Sequence, residues 1–235
     1  MKKLEVCFTP DLLTYYPPEG KVVVVIDIFR ATTTMVTALA NGIKDITPVA
    51  TLEECKALQN KGYLAAAERE GKMPEGFDLG NSPLSHKEQD FSGRQLAMTT
   101  SNGTLAITKS KTADQIVIGA FINISAVIKH LQNQSQDILL LCAGWKGRVN
   151  MEDSLFAGAV AYRLAKEVTI ANDAAVMAMH LYQTHQADME GFLKDGLHYH
   201  RLQRLGRAQD IEFCLKEDVY DLLPIYQQGI LIAKA

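Results

Sequence analysis

The chain alternates between short, densely apolar runs and longer stretches in which apolar residues recur every three or four positions. Runs at 4–8, 22–28, 46–50, 64–68, 96–100, 116–118 and 138–142 read as strands, several of them apolar without interruption. That pattern belongs to strands covered on both faces. Between them, 32–41, 52–61, 104–109, 124–132 and 153–166 read as helices. The strand–helix–strand rhythm predicts an α/β fold, a three-layer α/β/α sandwich around a mainly parallel or mixed sheet.

After residue 166 the rhythm changes. Asn172 and Asp173 have short side chains that accept bonds from orphan N–H groups, which predicts a helix from there to about 184. A second helix covers 192–205 and stops near Gly206, and 211–215 reads as a late strand. The last third is therefore expected to be helix-rich. The expected organisation is a single domain over 1–235, divisible into lobes of about 1–166 and 167–235. Met177 and Met179 fall in a highly apolar helix, which points to core or to a subunit interface, the second of these fitting a homodimer.

Composition narrows the class. With 235 residues, 47% hydrophobic and 22% charged, the chain can bury a core without staples. Its formal charge of −3, with Lys and Arg dispersed, argues against nucleic acid or an anionic membrane as the main partner. Cys7, Cys55, Cys142 and Cys214 are far apart and form no C-x-x-C pair, which disfavours a disulfide scaffold or structural zinc and fits a reducing cytoplasm. Glu5 follows Met1-Lys2-Lys3 too closely for a signal-peptide core. No apolar run approaches the ~20 residues a membrane span needs.

In parallel α/β sheets, ligands bind beyond the carboxyl ends of the strands. Four such ends carry polar clusters. Asp27-Ile28-Phe29-Arg30 precedes a threonine run, and Glu68-Arg69 leads into a glycine-rich loop containing Asn81. Ser101-Asn102-Gly103-Thr104 opens a helix, and Gly144-Trp145-Lys146-Gly147-Arg148 is followed by Glu152-Asp153. Acids, arginines, hydroxyls and glycines at one edge suggest a polyanion site for a small, acidic, phosphorylated substrate. Phosphate monoesters hydrolyse so slowly that catalysis needs a cation at the phosphoryl oxygens, fixed donors and an oriented nucleophile. Asp27, Glu68, Glu152 and Asp153 are oxygen ligands suited to Mg²⁺. Arg30 and Arg69 can grip phosphate or carboxylate with two prongs, and the 101–104 turn can cradle an anion.

Two further chemistries compete. Cys142 and Arg148 have the spacing of the loop in cysteine-dependent phosphatases, although Leu141 and Val149 stand where that loop usually has histidine and a hydroxyl. A non-catalytic sensor of an acidic metabolite would need anion loops but not the acids beside them. His180 and His185 form no zinc pattern, and His198-x-His200 reads as solvated or core histidine. Trp145 reads as a lid over the substrate or a plug in a surface hollow.

The ordered set Asp27-x-Phe-Arg-Ala-Thr-Thr-Thr, Gly76-Phe-Asp-Leu-Gly-Asn-Ser-Pro, Thr100-x-Asn-Gly-Thr and Cys142-Ala-Gly-x-x-Gly-Arg with Glu152-Asp153 resembles the 2-phosphosulfolactate phosphatase family. Leu205-Gly206-x-x-x-Asp210-Ile-x-Phe-Cys fits as well. The resemblance implies magnesium-dependent hydrolysis of 2-phosphosulfolactate to sulfolactate and phosphate, a step toward coenzyme M. It also implies site roles for Asp27, Arg30, Glu68, Asn81, Asn102, Gly103 and Asp153.

Overall fold

The computed structural model describes residues 1–234. In chain order the strands are β1 (Lys3–Cys7), β2 (Lys21–Ile26), β3 (Asp45–Pro48), β4 (Leu64–Ala67), β5 (Gln95–Thr99), β6 (Gln115–Gly119), β7 (Asp137–Cys142), β8 (Thr169–Ile170), β9 (Leu223–Gln227) and β10 (Ile230–Lys234). The helices are α1 (Ala31–Ala40), α2 (Leu52–Gln59), α3 (Gly103–Lys109), α4 (Ile124–Gln132), α5 (Met151–Leu164), α6 (Asp173–His185), α7 (Met189–Leu193), α8 (Leu197–Arg204) and α9 (Ala208–Cys214). Strands and helices thus form an α/β fold around one mixed sheet, ordered β4-β5-β3-β10-β9-β6-β2-β7-β1-β8.

The centre of the sheet explains its sequence. Val22 to Ile26 of β2 and Ile138 to Cys142 of β7 are fully buried. Because successive side chains point to opposite faces, burial of every residue means that both faces are covered. Helices α5 and α6 pack so closely that a Cβ on Gly158 would lie 1.9 Å from the Ala178 carbonyl oxygen, so only glycine fits that crossing.

Two parallel blocks make up the sheet. One is β4-β5-β3, and the other is β6-β2-β7-β1-β8. The β9–β10 hairpin joins them by antiparallel pairing on both sides, Leu231 opposite Ile46 and Ile116 and Val117 opposite Tyr226 and Ile225. Three antiparallel steps make the blocks run in opposite senses. Even so, residues that follow β2 and β7 share one cavity with residues that follow β4 and β5. The sheet therefore curls until the carboxyl edges of both blocks face each other.

The C-terminal third differs from expectation in three places. The segment expected as a strand at 211–215 lies mostly within helix α9. The second expected helix is broken into α7 and α8 around Asp195-Gly196. The unforeseen hairpin β9–β10 lies between the two blocks, so this third supplies strands as well as helices. The helix capped by Asn172 is present, its side chain accepting from the Ala175 N–H at 3.0 Å. Among the described residues, no helix is long and apolar enough to cross a membrane.

Candidate active site

The turn after β2 is locked by the threonines that follow it. The Asp27 N–H donates to Thr32 Oγ1 at 3.0 Å, and Thr33 Oγ1 donates to the Ile28 carbonyl at 3.0 Å. Asp27 Oδ1 accepts from the Ala31 N–H at 3.3 Å. One side chain then ties this turn to the loop after β7. Asp153 Oδ1 accepts from the Ile28 N–H at 2.8 Å, while Oδ2 accepts from the Gly144 N–H at 3.1 Å and from Asn150 Nδ2 at 2.9 Å.

The loop after β7 closes as a tight turn. Trp145 and Arg148 exchange backbone hydrogen bonds, with Lys146 at φ 52 and Gly147 at φ 73. Positive φ at both central positions is the geometry of a two-residue hairpin turn. It projects Trp145 and Lys146 into the cavity, where the Lys146 Nζ lies 5.7 Å from the Trp145 ring centroid. From the opposite block come Glu68, after β4, and Ser101 and Asn102, after β5. Asn102 Oδ1 accepts from the Lys146 N–H at 3.4 Å, linking the two loops across the cleft. Gly103 is dictated by close approach, since a Cβ there would meet Ala31 Cβ at 2.6 Å and Asp27 Oδ2 at 3.0 Å.

Asp27 is almost fully enclosed at 6% exposure. Burial raises its carboxyl to about 6, and the nearby acids Glu68 and Glu152 add to the rise against the lowering influence of His198 and the Ala31 N–H. Asn81 also lines the cavity, and its buried Oδ1 has no hydrogen-bond partner among the described residues. A buried acceptor left unpaired is costly unless a ligand satisfies it.

Asp27, Glu68, Asn81, Ser101, Asn102 and Lys146 thus meet on one cavity, with Gly103 packed against Asp27. Other expected site residues have different work. Arg30 is buried and bonded to Asp210 at 2.5 Å, and Ser82 Oγ donates to the other Asp210 oxygen at 2.6 Å, so its guanidinium braces α1 against α9. Asp153 is fully buried and accepts three hydrogen bonds, which makes it a brace; burial, with Asp27 and Glu152, raises its carboxyl well above the usual range. Glu152 is not among the residues that line the cavity; its Oε1 accepts from Asn150 Nδ2 and pairs with His198 Nδ1. The Gly144 N–H is spent on Asp153, and Gly147 faces Asp11. The Arg148 side chain is exposed. Arg69 and Thr104 line an adjacent hollow on the far side of Thr100 and Ser101. Arg69 is held there by its bonds to the Glu68 carbonyl and Thr99 Oγ1.

Cys142 is fully buried in β7, and burial together with Asp153, Cys7 and Glu152 raises its thiol well above the ordinary value. A protonated thiol enclosed in the sheet is inert as a nucleophile. Sequence reasoning missed Glu70, after β4, and two cavity residues on α8, His198 and Arg201. The latter two lie three apart on α8 and so share one helix face. Arg201 sits 5.7 Å from the Trp145 ring, on which His198 is stacked.

The sequence model for 2-phosphosulpholactate phosphatase matches residues 7–229. A protein of Thermotoga petrophila is 40% identical over 218 residues, covering 93% of this chain and 94% of its own. One from Clostridium acetobutylicum is 37% identical over 238 residues, covering 98% and 100%. One from Clostridium tetani is 36% identical over 232 residues, covering 97% and 99%. All three carry the name "probable 2-phosphosulfolactate phosphatase".

Proposed function

Because this chain belongs to the 2-phosphosulpholactate phosphatase family, we propose that it hydrolyses 2-phosphosulfolactate to sulfolactate and inorganic phosphate, with Mg²⁺ as cofactor. The observation that carries this reading is the shared cavity lined by Asp27 and Glu68 together with Lys146 and Arg201. An anion sensor has no use for carboxylates set beside its cationic groups. A phosphatase for a substrate bearing phosphate, carboxylate and sulfonate needs both kinds of group.

The residues suit a hard divalent cation. Among the described residues, no three His, Cys, Asp or Glu side chains converge as a ready-made cage. Mg²⁺ requires none, since it commonly takes one or two carboxylates and completes its shell with water and phosphate oxygens. Asp27 and Glu68 would hold it, with the unpaired Asn81 Oδ1 as a third oxygen. Bound there, Mg²⁺ would supply charge neutralisation at the phosphoryl oxygens.

The chain supplies the rest. Lys146 and Arg201, both beside the Trp145 ring, receive the carboxylate and sulfonate. Ser101 and Asn102 offer a hydroxyl and an amide to the phosphate. Asp153 keeps the loops after β2 and β7 in register, which holds Asp27 and Lys146 at a fixed separation. Water is the nucleophile, because Cys142 is enclosed and protonated.

A phosphate-release assay over 2-phosphosulfolactate, phospholactate and phosphoglycerates tests the reading. The sulfonated ester should be turned over fastest, EDTA should abolish release, and added Mg²⁺ should restore it. Full activity in EDTA refutes the metal role, and no release from any ester refutes the hydrolase.

A further inference from the structure

His198 lies at the start of α8 with its ring between two aromatic neighbours in sequence-distant loops. The ring stacks on the Trp145 indole with centroids 5.4 Å apart and planes 5° from parallel, and it meets the Phe29 ring at 6.2 Å and 68°. Its Nδ1 lies 2.6 Å from Glu152 Oε1, and both side chains are buried, at 8% and 2% exposure. Asn150 Nδ2 donates to the same oxygen at 3.0 Å, so Glu152 is itself held in place. Nδ1 therefore carries a proton directed at Glu152, and Nε2 is the nitrogen left for a ligand. Among the described residues the ring's hydrogen bond is made through Nδ1 alone, and His198 lines the cavity with Asp27. A carboxylate on Nδ1, a fixed ring plane and an open Nε2 are the parts of a proton-transfer device.

The proposed hydrolysis calls for such a device. The alcohol of a 2-hydroxy acid is a poor leaving group as an alkoxide, and no other neutral or cationic donor in the cavity is anchored this way. We propose that His198 Nε2 donates the proton to the leaving oxygen, with Glu152 as its positioning residue. The inference rests on the hydrolase reading. In the step, water oxygen bonds to phosphorus while the phosphorus–ester oxygen bond breaks. The Nε2 proton passes to the departing oxygen and forms the product hydroxyl. The attacking water keeps one hydrogen on the phosphate and loses the other to solvent, which reprotonates Nε2, so protons balance over the cycle.

His198→Asn is the informative variant, because its amide N–H can replace Nδ1–H toward Glu152 while nothing replaces Nε2. Its melting temperature should stay within a few degrees of the parent, its KM should change little, and kcat should fall about 10²–10⁴-fold. In His198→Ala, added imidazole should restore part of the lost rate. The assignment is overturned if His198→Asn keeps more than about a tenth of kcat, or if imidazole leaves His198→Ala unchanged. Glu152→Gln decides the matter should His198→Asn fail to fold: a clear loss in kcat at unchanged KM supports the pairing, and unaltered kcat removes it. Wild-type protein that releases no phosphate sinks the hydrolase reading first.

Discussion

Asp27 carries its negative charge in a place that does not favour it. Burial and the neighbouring acids raise its carboxyl to about 6, above the ordinary value of 3.8. A carboxyl raised on folding favours the protonated native state. Its stabilising contribution is present in full below about pH 4 and is lost as pH rises through about 6. In metal-free buffer at pH 8, Asp27→Asn should therefore melt above the wild type. The gain is on the order of 2 kcal/mol, or several degrees, and shrinks toward pH 4–5. The same variant should lose activity, a stability-for-function exchange expected of a cation-holding acid. Melting curves at both pH values check it, and equal melting at pH 8 would contradict the electrostatic account. Asp27 was legible in the sequence because an acid after an apolar strand stands out. His198 was not, because a lone histidine on a helix acquires meaning only from Glu152 and Trp145, both distant in sequence.

The strand–helix units from β2 through α5 were legible because each carries an unbroken apolar run or a helical period. Helix α9 was not. Its residues Ile211 and Phe213, with Leu215 just beyond its end, alternate with polar or small ones, and seven residues are too few for the helical period to outweigh alternation. What fixes α9 is tertiary: Asp210 accepts from both Arg30 and Ser82, drawing the helix onto α1 and the loop that carries Asn81. This also explains why Arg30, read as a substrate grip, is unavailable for one. Removing one partner of a buried ion pair leaves the other charge uncompensated. Asp210→Ala should thus cost about 3–5 kcal/mol, or roughly 10 °C in melting temperature. Urea and thermal unfolding measure it, and a loss under about 1 kcal/mol would show that Arg30 can find water or another partner.

Across the whole molecule, the site exists because a curled mixed sheet brings two opposed parallel blocks edge to edge. Sequence reasoning placed the acids and anion-binding loops on a single parallel edge. It did not foresee the β9–β10 hairpin, whose alternation over so few residues is weak and whose partners β3 and β6 lie far away in sequence. Because both blocks and helix α8 contribute to the lining, neither block forms the cavity alone. The most direct measurement is a crystal structure of the protein with Mg²⁺ and sulfolactate plus phosphate. The account expects the cation against Asp27 and Glu68, the acidic groups against Lys146 and Arg201, and His198 Nε2 within hydrogen-bond distance of the sulfolactate hydroxyl. Ligands bound away from this cleft, or a cation with no contact to Asp27, would contradict it.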